Sequence, residues 1–495
     1  MQYISGTPRN QLCLFQEKLD DLIQEDQLVR FIDIYVDKLD LIKLEVFNID
    51  RTTGRPGYNP ALYLKIYIYS YLNKIRSSRK IETECKRNIE LIWLTEQLTP
   101  DHWSISNFRK RNKKAIKNIF KEFLSFCHKL NLLSFECIAI DGTKMRSQNS
   151  LSNVYKKKEI DKILENVEKK IEDYMADLEE NDKTEKSEYE FLNKNIPVKL
   201  KRLRTHKEKI KSIQEVFNNN PELEKYFAND PDCSFQKDNG RCVAGYNCQS
   251  SVDEKSKLIV ATDVTNQNND TYQLVPMYEN TNKIKTSLKV SKKSFFVLDA
   301  GYHSEREIIK AINNDESTDL YIPHPKDVKN DVKYKKVKKG TVPAPGFKKE
   351  NFIYDKEKNV FICPENQTLT QDGKSRIKHG TETITYKCRT YLNCKSRELC
   401  STTRYGRRVE ASTKYDVMIK FREKVNSDIG KKIIRKRKEL VEHPFGTIKR
   451  NLGYTYFMQT GIESVKTEFS FIAFIYNLRR VINIFGVTNL IEVLK

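Results

Sequence analysis

Two runs, FECIAID at 135–141 and SFFVLD at 294–299, are apolar almost throughout, have the length of a buried strand, and end in an aspartate. Three more strand candidates are VAGYNCQSSVD (243–253), KLIVATDVT (257–265) and DLYIP (319–323). A helical pattern, TYQLVPMYENTNKIK, falls between the third and fourth strands, and SEREIIKAINN between the fourth and fifth. First strands that follow one another directly, then strands that alternate with helices, define an α/β layered domain.

The rest of the chain is arranged around that core. Residues 1–130 read as helical, with TTGRPGYNP (52–60) as a turn that leads into an apolar helix near Pro60. Proline is tolerated there because the first helical position needs no N–H partner. Later helices carry Arg76, Arg79, Arg109, Lys110 and Arg111. Their spacing fits a DNA-reading helix-turn-helix and a plain bundle with solvated charges about equally. Between the first two strands, Ile160, Leu164, Val167, Ile171, Met175 and Leu178 make a helical seam. A second seam, Leu203, Ile210, Ile213 and Phe217, is expected to begin after Pro197, so 151–217 reads as an antiparallel helical hairpin. A further interruption, 326–430, opens Lys-rich and carries Cys363, Cys388, Cys394 and Cys400. Residues 431–484 are helical and begin basic, and 485–495 read as a tail.

Lys and Arg number 89 against 67 Asp and Glu, a net charge of +22 that concentrates polyanions around the protein. Double-stranded DNA is the expected partner. A membrane is not expected, because the longest apolar run, FSFIAFIYNL at 469–478, is too short to span one. With no basic flank and apolar stretch near Met1, a cytoplasmic location is expected. The 11 cysteines, an odd number, argue for reduced thiols rather than a disulfide framework.

Metal-assisted phosphodiester cleavage uses two divalent ions about 3.5–4 Å apart, held by hard carboxylate oxygens. Asp141 and Asp299 are candidates, each followed soon by a glycine that permits a sharp exit and a close ligand. Glu442 lies seven residues before Lys449, two helical turns, which places both on one helix face. The competing reading is a surface acid screened by Lys436, Arg437 and Lys438. Pro444 should kink that helix. The four cysteines, with 24, 5 and 5 residues between neighbours, are a candidate Zn2+ site, though structural zinc favours tighter knuckles.

Five ordered motifs, IAIDGTKMRS, GYNCQSSVD, VTNQNNDTYQLVPM, VLDAGYHS and VEHPFGTIKR, together with TGRPGYNPALYLKIYIYSYLNKIRSSRKIE upstream, resemble the DDE transposases of bacterial insertion sequences. The resemblance is to the group with a Tyr-x2-Arg-x3-Glu-x6-Lys signature helix. It implies a ribonuclease H-like α/β core over 131–484, an N-terminal helical DNA-binding domain that uses Arg109 and Arg111, and insertions at 151–217 and 326–430. It implies Asp141, Asp299 and Glu442 as a Mg2+-binding triad, with Mn2+ as substitute. It also implies binding to terminal inverted repeats, strand cleavage that exposes 3′-hydroxyls, transfer of those ends into target DNA, and a homodimer. Lys449 matches the signature Lys, whereas the signature Tyr and Arg fall on Arg435 and Lys438. Lysine keeps the charge but loses the planar fork of arginine. An inactive, transposase-derived DNA-binding protein and a structure-selective nuclease of the same fold are the alternatives.

Overall fold

The computed structural model describes residues 18–46, 57–183, 190–238, 240–314, 319–325, 344–378, 380–401 and 403–495. The N-terminal stretch to 17, residues 52–56 of the turn, the side chain of Leu178 and the Lys-rich run up to 343 lie outside the described residues.

Among the described residues six α-helices come first: α1 (Leu28–Asp37), α2 (Pro60–Leu72), α3 (Ser78–Arg87), α4 (Ile89–Leu94), α5 (His102–Arg111) and α6 (Lys113–Lys129). Pro60 takes the first position of α2, and the Asn59 side chain accepts the Ala61 N–H at 2.9 Å. From Leu62 to Leu72 every α2 residue except Lys65 is buried, so this helix is a core element.

The sheet that follows is built on β1 (Cys137–Arg146). Here the chain departs from the sequence reading. Asp141 does not end the strand, and Gly142 is no exit. Antiparallel pairing with a later strand runs without a break from Ile138 to Arg146, and that ladder holds the polar second half, DGTKMR, extended.

After β1 come β2 (Val154–Lys156), α7 (Ile160–Lys183), α8 (Glu190–Asn219) and β3 (Lys225–Phe227), with β2 paired to β3. The two long helices pack together over Tyr155, Ile160, Ile210, Ile213 and Phe217. α8 begins seven residues before Pro197, and the seam residues Ile210, Ile213 and Phe217 are buried beyond it. Pro197 thus lies in the helix interior, and α8 continues for more than 20 residues beyond it. Met175 stays exposed, so the seam is buried near its base only.

The sheet resumes with β4 (Ser234–Asp238), β5 (Arg241–Asp253) and β6 (Ile259–Thr265), then α9 (Leu274–Ser287), β7 (Phe295–Val297), α10 (Glu305–Asn314) and β8 (Asp319–Tyr321). Strands β5, β1, β7 and β8 lie side by side in that order, with β4 and β6 paired to β5. β1, β5 and β6 are antiparallel neighbours, while β7 and β8 run parallel to β1.

A second sheet, which the sequence reading did not identify, occupies 353–412. It is antiparallel throughout and comprises β9 (Ile353–Asp355), β10 (Val360–Ile362), β11 (Thr368–Gln371), β12 (Arg376–Lys378), β13 (Thr381–Cys388) and β14 (Arg408–Ser412). It has its own small core of Phe352, Phe361, Leu369, Tyr386 and Val409.

Helices α11 (Tyr415–Asn426), α12 (Asp428–Gly446), α13 (Ile462–Phe485) and α14 (Val487–Leu494) complete the fold. α13 packs on α6, α2 and β6, and one hydrophobic cluster therefore runs from the N-terminal helices into the sheet. α14 is not a loose tail, because Leu490 and Ile491 are buried and the helix lies against α1. No single helix among the described residues is long and apolar enough to cross a membrane.

Candidate active site

Side chains alternate between the faces of a strand. In β1, Ile138 and Ile140 enter the main core, while Cys137 and Ala139 face Leu440 and Val441 of α12. Asp141 shares the face of Cys137 and Ala139 and so points toward α12. In the parallel register Cys137 pairs with Phe295, Ile138 with Phe296 and Ala139 with Val297. Continued by two residues, that register sets Asp141 level with Asp299 on the neighbouring strand. Asp299 stays extended beyond β7 and caps the turn Ala300–Tyr302, accepting the Gly301 N–H at 2.7 Å. Asp141 accepts the Gly142 N–H at 2.9 Å.

A third acid, Asp270, reaches the same place from the loop after β6. It accepts from Asn247 Nδ2 at 2.7 Å and Gln249 Nε2 at 2.8 Å, and its carboxylate lies 3.5 Å from Lys144 Nζ. Gln249 in turn accepts from the buried Tyr302 hydroxyl. The glycines make room for this arrangement. A Cβ on Gly142 would stand 2.4 Å from Gln249 Nε2 and 2.9 Å from Asp270 Oδ1. A Cβ on Gly301 would stand 2.9 Å from Asp299 Oδ1 and 3.8 Å from Asp270 Oδ2. The glycine after each aspartate serves the packing of acids and amides.

The counter-charge comes from α12. Arg437, Leu440, Val441 and Pro444 form the stripe that faces the sheet, and Arg437 Nη1 lies 3.4 Å from Asp141 Oδ2 without a hydrogen-bond partner of its own. Burial pushes the Asp141 carboxyl up to about 6, with Asp299 and Asp270 adding to the rise and Arg437 and the Gly142 N–H opposing it. Three carboxylates here face two cations, Arg437 and Lys144, which leaves hard oxygens with net negative charge. Among the described residues no three His, Cys, Asp or Glu side chains already converge as metal ligands do.

Glu442 is exposed and is not on the stripe that meets Asp141. It follows Val441, about 100° farther round the helix. The seven-residue step to Lys449 does not hold as two α-helical turns, since α12 ends at Gly446 and Thr447–Asn451 form a π-helical turn. Pro444 is buried in the last turn of α12, just before that π turn. Lys449 Nζ lies 3.8 Å from Asp238 Oδ1 at the end of β4. Arg435 and Lys438 are exposed on α12, and Arg111 is exposed at the end of α5.

Arg109 faces inward, donating to the Tyr71 hydroxyl at 3.2 Å. Burial works against its charge, and the nearby Tyr71, Tyr67 and Glu468 outweigh that cost. Its guanidinium belongs to the junction between the N-terminal helices and α13. His303 meets His324 with ring centroids 4.7 Å apart. The four cysteines of the second sheet line one cavity. Burial raises the Cys400 thiol, with Cys363, Cys394 and Cys388 contributing and Arg407 opposing.

Two family models match the chain. A transposase domain matches residues 17–111, the helical region up to the last residue of α5. A transposase DDE domain matches residues 362–482, which include α12, Glu442 and Lys449 but neither Asp141 nor Asp299. Neither the curated proteins nor the solved structures contain a match. The class these findings support is a transposase. Within that class, they support a DDE transposase of insertion-sequence type.

Proposed function

We propose that the protein is the transposase of an insertion sequence, that it binds the terminal inverted repeats, cleaves the DNA strands there and transfers the 3′-hydroxyl ends into target DNA. The observation that carries this reading is the approach of three acids, Asp141 on β1, Asp299 just beyond the parallel β7 and Asp270, with Arg437 3.4 Å from Asp141. The sheet supports a ribonuclease H-like core, since three antiparallel strands precede two that run parallel to the first. Asp141 and Asp299 would hold Mg2+, or Mn2+ in its place, and Glu442 would complete the set from α12 as the resemblance implies. Asp270, which the sequence reading missed, would serve by fixing Lys144, Asn247 and Gln249 behind the two strand acids.

When bound, divalent ions supply an activated water and neutralise the leaving oxygen. The chain's own part is to bind and orient the strand. Arg435, Lys438 and Lys449 would grip phosphates along α12 and its π turn, and exposed Arg111 would contribute from α5. Arg437 would release Asp141 as cations and DNA arrive. Two DNA ends brought together call for two copies of the chain.

The test uses the purified chain on a plasmid carrying the inverted repeats that flank its gene, with and without Mg2+. Cleavage at the repeat ends is expected only with Mg2+, and Asp299→Ala should abolish it while end binding persists. Wild-type end binding without cleavage under every divalent ion would favour an inactive DNA-binding derivative. Cleavage that ignores the repeats would favour a structure-selective nuclease.

A further inference from the structure

We propose that Cys363, Cys388, Cys394 and Cys400 bind one structural Zn2+ ion that ties the strands and turns of the second sheet together. The inference stands independently of the reaction at Asp141 and Asp299. The four thiols come from four different places: just after β10, the last residue of β13, just after the 3-10 turn Tyr391–Asn393, and the end of the helical turn Arg397–Cys400. All four line a single cavity of about 20 Å³. A space of that size has room for one ion or one water.

Other buried thiols in the chain are different. Cys85, Cys127 and Cys248 are each embedded in the main hydrophobic cluster, the ordinary situation of an inert cysteine. Cys394 and Cys400 are only half-buried yet share the cavity with buried Cys363 and Cys388, an arrangement that hydrophobic burial does not call for. None of the described cysteines is in a disulfide.

Two polar groups of the chain lie at the cavity. The Gln367 N–H donates to Cys363 Sγ at 3.2 Å, within a turn closed by the Cys363 N–H to Gln367 O bond at 2.9 Å. Arg407 also lines the cavity, and its Nε is buried with no hydrogen-bond partner. A centre of four thiolates around one Zn2+ is net negative and would attract that half-buried guanidinium.

The five-residue gaps exceed those of an ordinary knuckle because a 3-10 turn fills one and a helical turn the other. As they stand the thiols do not yet converge as ligands do. Binding would need each to turn inward and lose its proton, so affinity should fall as the pH drops. Four sulfurs in a closed site select Zn2+ over hard cations and leave no open position for catalysis.

The test is metal analysis of the full chain purified without chelator. One Zn2+ per chain is expected, released as a mercurial titrates four thiols. Cys394→Ser and Cys400→Ser should each lose Zn2+ through a chelation step that the wild type withstands, while Cys242→Ser, at an exposed position, keeps it. Because a Cys variant could simply misfold, the wild-type chain is also loaded with Co2+, whose visible spectrum should carry intense sulfur-to-cobalt bands of a tetrahedral site. Absence of those bands, Zn2+ retained by both variants, a disulfide among the four, or an iron–sulfur chromophore would each overturn the proposal.

Discussion

Asp141→Asn removes the most strained charge of the site while keeping its shape, because an amide copies the size and neutrality of a protonated carboxyl. The native carboxyl holds its proton to about pH 6, whereas its ordinary value is 3.8. Between those values the native state binds more protons than the unfolded chain, so stability falls as pH rises through the window. The loss is complete above about pH 6 and absent below the ordinary value. Each pKa unit corresponds to about 1.4 kcal/mol, so ionising Asp141 costs about 3 kcal/mol at neutral pH. Its side chain is only 22% exposed, which limits solvent screening. Asp141→Asn should therefore unfold in urea with about 3 kcal/mol more stability than the wild type at pH 7.5, and with no difference near pH 3.5. The same variant should cleave no DNA. A variant that is less stable at pH 7.5, or a difference that ignores pH, would refute the claim that repulsion and desolvation at Asp141 are stored for function.

Glu468 is fully buried, accepts the Met458 and Gln459 N–H groups and lies 3.8 Å from Arg76, so Glu468→Ala should destabilise the junction of α2, α5 and α13 by about 3–5 kcal/mol, read by thermal or urea unfolding. Gly142→Ala should impair cleavage and stability together, since its methyl would collide with the Gln249 amide. Binding to the element ends should weaken by about 10³ to 10⁵ between 50 and 200 mM salt if 6–10 phosphates are neutralised, measured by fluorescence anisotropy. A flat salt response there would count against phosphate binding.

Much of the core was legible because its strands are written in apolar residues. FECIAID and SFFVLD read as strands, and they pair in parallel as β1 and β7, although Asp141 lies inside its strand and Asp299 just beyond its own. What escaped was whatever tertiary pairing decides. DGTKMR has no strand pattern of its own and is extended only because β5 pairs with it. The second sheet is made of strands as short as VFI and RIK, too brief and too polar for periodicity to register. Asp270 lies in a polar loop, NQNND, where nothing in the local sequence separates it from a turn residue. Arg437 is one cation among Arg435, Lys436 and Lys438, and only the helix phase, set by Leu440 and Val441, turns it toward Asp141. Glu442 carries the resemblance, yet the same phase leaves it exposed. Arg109 read as a DNA contact because its neighbours are basic, but Tyr71 and Glu468 draw it inward.

The most direct test of the shared cation pocket is to count Mn2+ ions bound to the chain on a duplex of its element end, by electron paramagnetic resonance. Wild-type protein should hold tightly bound Mn2+ that Asp141→Asn and Asp299→Asn each lose while still binding the duplex. Equal Mn2+ binding by all three proteins would contradict the assignment.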